Sequence, residues 1–248
     1  MAVLLTRPHP DNEDSAARLR ARGIEVLLAP MLRFEPIALH DDPKVQYDAV
    51  IVTSANALRA IEPQLAESRL LKLPLFAVGE HSASTARRMG FRNVISADGD
   101  AAALRDRVLK GVRAKELRKR SRFLYLAGAD LSRDLAGELG AHGLDVVAHA
   151  TYRMIALSTL PREVCEAFAA NRVQAVLHYS RRSAVAFLEA VRREGIEISA
   201  LAVPHCAISG NVASVLHEAG ALRVNVAASA DENALFEALD RAFRSRLA

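Results

Sequence analysis

The sequence predicts an α/β protein made of two doubly wound parallel sheets. Three observations carry that reading. Short continuous apolar runs alternate with helical stretches, the two halves of the chain match each other in collinear blocks, and glycines recur where helices should stop. Uninterrupted apolar strands of four or five residues belong to a sheet covered by helices on both faces, hence to a mostly parallel one.

The elements follow in order. VLLT (3–6), EVLL (25–28), AVIVT (49–53), LFAV (75–78) and NVIS (93–96) are partly β-branched runs bounded by polar or glycine positions, and read as strands. Between them, apolar residues at three-to-four spacing such as Ala16 and Leu19 predict helices, and Gly23 closes the first. Gly90, Gly143 and Gly220 recur in the same slot. At an offset of 120, Leu4, Leu19, Gly23 and Val26 fall on Leu124, Leu139, Gly143 and Val146. At 126, Ala49 and Ser54 fall on Ala175 and Ser180, and at 130, Ala77, Ala83, Gly90 and Val94 fall on Ala207, Ala213, Gly220 and Val224. Any one block is within reach of chance; three in order point to an internal duplication, with small loop insertions raising the offset. Right-handed crossovers then give two sheets of about five strands, flavodoxin-like in scale. Two segments break the alternation, Ala29–Pro43 and Ala150–Pro161. Both are extended, β-prone and closed by proline, and they read as connectors where the chain crosses between domains.

Composition bounds the function. The 248 residues are 51% hydrophobic and 25% charged, with a net charge of +4, a mild bias toward anionic partners. Cys165 and Cys206 form no CxxC or zinc spacing; one is expected on a helix and one in a strand, as core thiols in a reducing compartment. The opening MAVLLTRPHPD lacks the basic and apolar regions of a signal peptide, and no stretch approaches the roughly 20 apolar residues of a membrane span, so a cytoplasmic protein without a membrane partner is expected. P-loop, GxGxxG, GxSxG and HExxH motifs are all missing. The basic run Arg105–Arg122 carries no interleaved aromatics, and reads as a solvated helix and connector rather than a nucleic-acid grip.

Ligands of open parallel sheets bind beyond the carboxyl ends of the strands, at helix N-termini whose free N–H groups receive carboxylates. The residues there are Thr6-Arg7-Pro8, Thr53-Ser54-Ala55-Asn56 and Gly79-Glu80-His81-Ser82 in one half. The other half supplies Gly128, Tyr179-Ser180-Arg181-Arg182-Ser183 and Ser209-Gly210-Asn211. Ser54, Ser180 and Ser209 equally suit plain N-caps. His81 and His178 lie near strand ends, as ligand contacts or as surface or satisfied polar residues. Arg7, Arg33, Arg133, Arg153, Arg181 and Arg182 are the cations at strand ends and connectors.

LLTRP (4–8), YDAVIVTSANAL (47–58), FAVGEHSASTARRMGF (76–91), the glycine-arginine-leucine pattern from Gly128 to Val146, TYR (151–153), AVLHYSRRS (175–183) and AISGNVASVL (207–216) together resemble the uroporphyrinogen-III synthase family along nearly the whole chain. The resemblance implies two flavodoxin-like domains, 1–33 plus 157–248 and 37–150, joined by a two-stranded connector, with the substrate held between them. It implies a reaction without cofactor or metal. Hydroxymethylbilane, a linear tetrapyrrole with eight carboxylates, loses its hydroxyl and closes with inversion of its last ring, ring D, to uroporphyrinogen III, serving porphyrin and heme biosynthesis. Hand-over of that bilane from the preceding bilane-forming enzyme is a further implied partnership. Carried onto this chain, Tyr152 matches the connector tyrosine that assists hydroxyl departure, or is an interfacial packing residue. Arg7, Thr53, Ser54, Asn56, Gly79, Ser82, Gly128, Ser180, Ser209 and Asn211 match substrate-binding positions. Ala127 stands where many members carry arginine, and Ser209-Gly210-Asn211-Val212 replaces a commoner turn. The alternative is a non-catalytic two-domain ligand-binding or sensory module.

Overall fold

The computed structural model describes residues 2–40, 42–66, 68–114, 120–131 and 133–244. It divides into two compact units, Met1–Phe34 with Ile155–Ala248, and Glu35–Met154. The chain begins with β1 (Ala2–Leu5), α1 (Asp11–Arg20), β2 (Glu25–Leu28) and β3 (Leu32–Pro36). Next come β4 (Ala49–Val52), α2 (Ala55–Leu65), β5 (Leu75–Ala77), α3 (Glu80–Arg88), β6 (Val94–Ser96) and α4 (Ala101–Arg113). Then follow β7 (Arg122–Gly128), α5 (Leu135–Gly140), β8 (Asp145–Ala156), α6 (Arg162–Ala169), β9 (Val173–His178) and α7 (Arg181–Arg193). The last elements are α8 (Glu197–Ala202), β10 (His205–Ala207), α9 (Gly210–Glu218), β11 (Val224–Val226) and α10 (Glu232–Arg244).

One sheet has the order β11-β10-β9-β1-β2, with every neighbouring pair parallel. The other has the order β3-β8-β7-β4-β5-β6, parallel from β8 to β6. The expected α/β class with parallel sheets is thus present. Helices cover both faces because the strands are apolar on both: β1 (AVLL) and β4 (AVIV) are buried at every position. In the Glu35–Met154 unit, α2 and α3 pack one face through Leu58, Ile61, Ala83 and Ala86. There α4 and α5 pack the other face through Leu104, Val108, Leu135 and Leu139. In the other unit, α6, α7 and α9 share one core, and α1 and α10 the opposite one. Gly23 and Gly143 end α1 and α5 at φ of 76° and 82°, a conformation that only glycine adopts without strain.

The connectors differ from the expectation in one respect. Residues 150–156 are not a separate segment but the continuation of β8, a single strand of 12 residues. The backbone bond from Ile37 N to Thr151 O and that from Leu157 N to Met31 O show β3 running antiparallel to it, one number falling by six as the other rises by six. On its other edge β8 stays paired with β7 up to Gly128, which satisfies backbone groups that a loop would leave to water.

His178, read as a ligand contact or as a surface or satisfied polar residue, is fully buried at the end of β9. Its Nε2 lies 3.0 Å from Nδ1 of His205, whose Nε2 faces the Ala200 carbonyl at 3.2 Å. The Ala200 carbonyl requires a proton on His205 Nε2, so His178 Nε2–H donates to His205. Burial drives both imidazoles below their ordinary range, His205 to about 4, and keeps them neutral. Cys206 is buried in β10 and Cys165 partly buried on α6, both free thiols; burial pushes Cys206 up to about 12. Of the basic run, residues 115–119 lie outside the described residues, Arg105 pairs with Asp106 and Glu138, and Arg122 with Asp145. Among the described residues no helix is long and apolar enough to cross a membrane.

Candidate active site

Strand order reverses beside β7 in the Glu35–Met154 unit. The crossover after β4 leads to α2 on one face, and that after β7 leads to α5 on the other, so a crevice opens beyond their carboxyl ends. A cavity of about 280 Å³ lies there. Four of the residues singled out in the sequence line it: Thr53 and Ser54 just past β4, Gly128 ending β7, and Tyr152 from β8. Sequence reasoning missed Tyr125, Asp130 and Leu131, which also line it beside Val78, Ala101 and Leu135, and named Arg133 only as a cation.

Each side chain is placed by a local device. Pairing in the β7–β8 ladder goes from Ala127 opposite Ala150 to Gly128 opposite Tyr152, leaving Thr151 as an extra residue, a bulge. Thr151 is buried, and its hydroxyl lies 3.2 Å from the Ala127 carbonyl and 3.4 Å from that of Ala57. These contacts tie the bulge to β7 and to the first turn of α2. Tyr152 then lies over Gly128: a Cβ there would fall 2.9 Å from Cζ and 3.0 Å from the phenol oxygen. The Ala129 N–H donates to the Tyr152 carbonyl at 2.8 Å. Across the cavity, Thr53 Oγ1 is 3.1 Å from the hydroxyl of Tyr125. Burial pushes the Tyr125 phenol above its ordinary range, which the Thr53 contact partly opposes and neighbouring Tyr152 reinforces.

The rim carries charge. Arg133 donates through Nη2 to Glu138 at 2.8 Å, and Arg105 reaches the same carboxylate at 3.2 Å. These guanidinium bonds hold Glu138 below the usual carboxylate range. Asp100 caps α4 by accepting from Ala102 and Ala103, both at 2.9 Å, and the bond from Ala103 leads in lowering its pKa. The cavity therefore offers hydroxyls, two phenols, the Asp130 carboxylate and a guanidinium. No group of acidic, histidine or cysteine side chains suits a metal ion among the described residues.

Ser54 also has a local role, and the other expected residues lie outside the cavity wall. Ser54 caps α2 by accepting from Asn56 N–H at 3.2 Å, and the Asn56 amide accepts from Arg59 at 2.8 Å. Gly79 precedes α3 and Ser82 is buried within it, outside the cavity wall; His81 is exposed there. In the other unit, Ser180 caps α7 through Ser183 N–H at 3.1 Å. Ser209 stands at the start of α9 but its side chain makes no cap bond, contrary to the capping expectation; the extended backbone there is not accompanied by a hydroxyl aimed at the helix. Asn211 is exposed in the first turn of α9. Arg7 follows β1 at that sheet's own reversal point, but a carboxylate already meets it. Its Nη1 donates to Glu232 Oε1 at 2.9 Å, and the guanidinium lies 4.8 Å from the centre of the Tyr179 ring. Tyr179 donates to the same oxygen at 3.1 Å, and burial followed by that carboxylate pushes its pKa well up. Glu232 comes from α10, far along the chain, and no local motif announces it.

A family model described as uroporphyrinogen-III synthase HemD matches residues 13–237. The chain belongs to the uroporphyrinogen-III synthase family. The synthase function read from the sequence, with its place in porphyrin and heme biosynthesis, agrees with that membership. A crystal structure of uroporphyrinogen-III synthetase from Helicobacter pylori 26695 shares the fold at a TM-score of 0.65 and 19% identity, covering 97% of this chain and 98% of that one. A mutant uroporphyrinogen III synthase from the extremely thermophilic bacterium Thermus thermophilus is similar at a TM-score of 0.57 and 16% identity, covering 99% of this chain and 100% of that one. No curated protein sequence matches the chain.

Proposed function

We propose that the chain acts as a cofactor-independent hydro-lyase on hydroxymethylbilane, with the Tyr152 phenol assisting departure of the hydroxyl. The observation that carries this is the phenol's position, over Gly128 at the mouth where strand order reverses. Tyr152 passes its proton to the leaving hydroxyl as the C–O bond breaks with its electrons on oxygen, so water departs and a phenolate remains, which takes back the proton that the closing macrocycle loses. The azafulvene cation left behind is attacked by ring D through its substituted carbon. The spiro intermediate then rearranges, and loss of a proton gives the inverted macrocycle. A positioned acid of this kind contributes about 10²–10⁴-fold.

Thr53, Ser54 and Gly128 bind substrate around the cavity and Asn56, Gly79 and Ser82 at the adjoining helix starts; Arg7, Ser180, Ser209 and Asn211 are the substrate-binding residues of the other unit. Helix N-termini favour the carboxylates. The domains are 1–33 plus 157–248 and 37–150, joined by the β3–β8 pair, and they descend from one duplicated unit. In support, β1, β2, β9, β10 and β11 occupy the same relative places in their sheet as β7, β8, β4, β5 and β6 in theirs. These are the strands that the sequence offsets align. The product leaves with the hydroxyl lost and the ring inverted, and the substrate is handed over from the preceding bilane-forming enzyme.

The test supplies freshly made hydroxymethylbilane to Tyr152→Phe and resolves the porphyrinogen isomers. Type III formation should fall about 10²-fold or more with the melting temperature retained. Undiminished type III turnover removes Tyr152 from the chemistry.

A further inference from the structure

We propose that Tyr125 is a positioning residue for the synthase reaction: its phenol holds the Thr53 hydroxyl so that the Thr53 hydrogen is presented to the substrate beside Tyr152. The proposal rests on the reading of the cavity as the substrate's place.

Tyr125 is an anomaly in its own strand. It stands in FLYLAG, packed in one core with Phe76 and Phe123, whose rings meet edge-on at 6.4 Å. That layer accepts phenylalanine readily. At the offset of 120 the first strand carries Leu5, fully buried. A phenol only 2% exposed must bond its hydroxyl or lose the solvation it had in water, so a phenylalanine would fill the place without that demand. The hydroxyl has its partner in Thr53 Oγ1 at 3.1 Å, and both residues line the cavity that Tyr152 lines.

The direction of the bond follows from acidity. Phenols are stronger acids than aliphatic alcohols and hence stronger donors, and burial keeps Tyr125 protonated. Either hydroxyl could donate across the 3.1 Å contact; with the phenol, the stronger acid, as donor, Thr53 accepts. Threonine has one hydrogen and two lone pairs; with one lone pair engaged, its hydrogen points away from Tyr125. The substrate oxygen approaching the cavity is then met by a donor already oriented, without the reorganisation that a free hydroxyl rotor requires.

The experiment uses the full chain with Tyr125→Phe, Thr53→Val, Thr53→Ser, the double variants Tyr125→Phe/Thr53→Val and Tyr125→Phe/Thr53→Ser, and Tyr152→Phe. It reads kcat, KM and the type III to type I ratio with enzyme in excess, alongside thermal melting. Tyr125→Phe and Thr53→Val should each lower kcat about tenfold, the worth of about one hydrogen bond, with KM changed less. Tyr125→Phe/Thr53→Val should be no slower than Thr53→Val. In Thr53→Ser, which keeps the hydroxyl, Tyr125→Phe should still cost its full factor. Wild-type kcat and isomer ratio in Tyr125→Phe, or factors that multiply in Tyr125→Phe/Thr53→Val, overturn the positioning role while Tyr152 and Thr53 remain in the site. Silence of both Thr53→Val and Tyr152→Phe overturns the cavity as the substrate's place, and this proposal with it.

Discussion

Replacing Gly128 with alanine isolates the contact on which the Tyr152 phenol rests. A Cβ built there lies 2.9 Å from Cζ, 3.0 Å from the hydroxyl oxygen and 3.3 Å from Cε1. Ordinary contacts of that kind begin near 3.4 Å, so the tip of the ring must retreat by about half an ångström. Gly128 is not among the glycines with positive φ, so alanine is free of backbone strain there, and the substitution tests space alone. Tyr152 is only half-buried, which gives the ring room to swing and keeps the stability cost near the low end of overpacking, ~1 kcal/mol. Catalysis is less forgiving: a displacement of about 1 Å at a reacting group costs ~10²-fold, so roughly 10-fold or more is expected here. The assay is the rate of type III porphyrinogen formation beside thermal unfolding. In a Tyr152→Phe background, Gly128→Ala should add little to the kinetic loss, because the hydroxyl it displaces is already gone. A Gly128→Ala protein turning over at the wild-type rate would refute the claim that the glycine sets the phenol's position.

Two further predictions concern stability. The unfolded imidazoles of His178 and His205 titrate near pH 6.5, whereas in the fold burial holds both lower, His205 at about 4. Because the native values are depressed, the full stability is present above pH ~6.5 and is lost as pH falls from there toward 4. His205 alone accounts for roughly 3 kcal/mol over that window. Urea unfolding at pH 7 and pH 4.5 should show this, and His178→Phe/His205→Leu should have a flatter profile; equal slopes for the two proteins would contradict the neutral-pair account. Of the two helix-start serines, Ser180→Ala should cost about 1 kcal/mol for its lost cap, and Ser209→Ala, which caps nothing, less than ~0.5 kcal/mol. A loss of activity in Ser209→Ala without a loss of stability would then report a substrate contact.

Much of the sheet architecture was legible because its strands are buried on both faces. VLLT, EVLL, AVIVT, LFAV and NVIS all lie on observed strands, since a continuous β-branched run has few other places to go. β8 was harder. Its later part, HATYRMIA, alternates polar with apolar as far as Met154 and is bounded by no turn residue, so its union with DVVA depends on pairing that β7 and β3 supply. The hydroxyls past β4 were visible from position alone, whereas Tyr125 was hidden in an apolar run, its one signal being a phenol where phenylalanine would pack as well. Glu232 was illegible for another reason: it meets Arg7 across a separation of 225 residues, and charge has no periodicity to betray its partner. Ser209 shows the converse limit. A serine in the right place is a cap only if its rotamer turns toward the helix.

The bulge at Thr151 makes the placing of the phenol depend on parity. Side chains along a strand alternate, so each added or removed residue reverses everything beyond it. One surplus residue between Ala150 and Tyr152 is what brings the phenol round to Gly128. Were the bulge straightened by a one-residue slip, Thr151 would pair with Gly128, the phenol would turn to the opposite side of the sheet, and residues 153–157 would fall out of step with β3. A change that spares every named side chain in the cavity would thus disarm it.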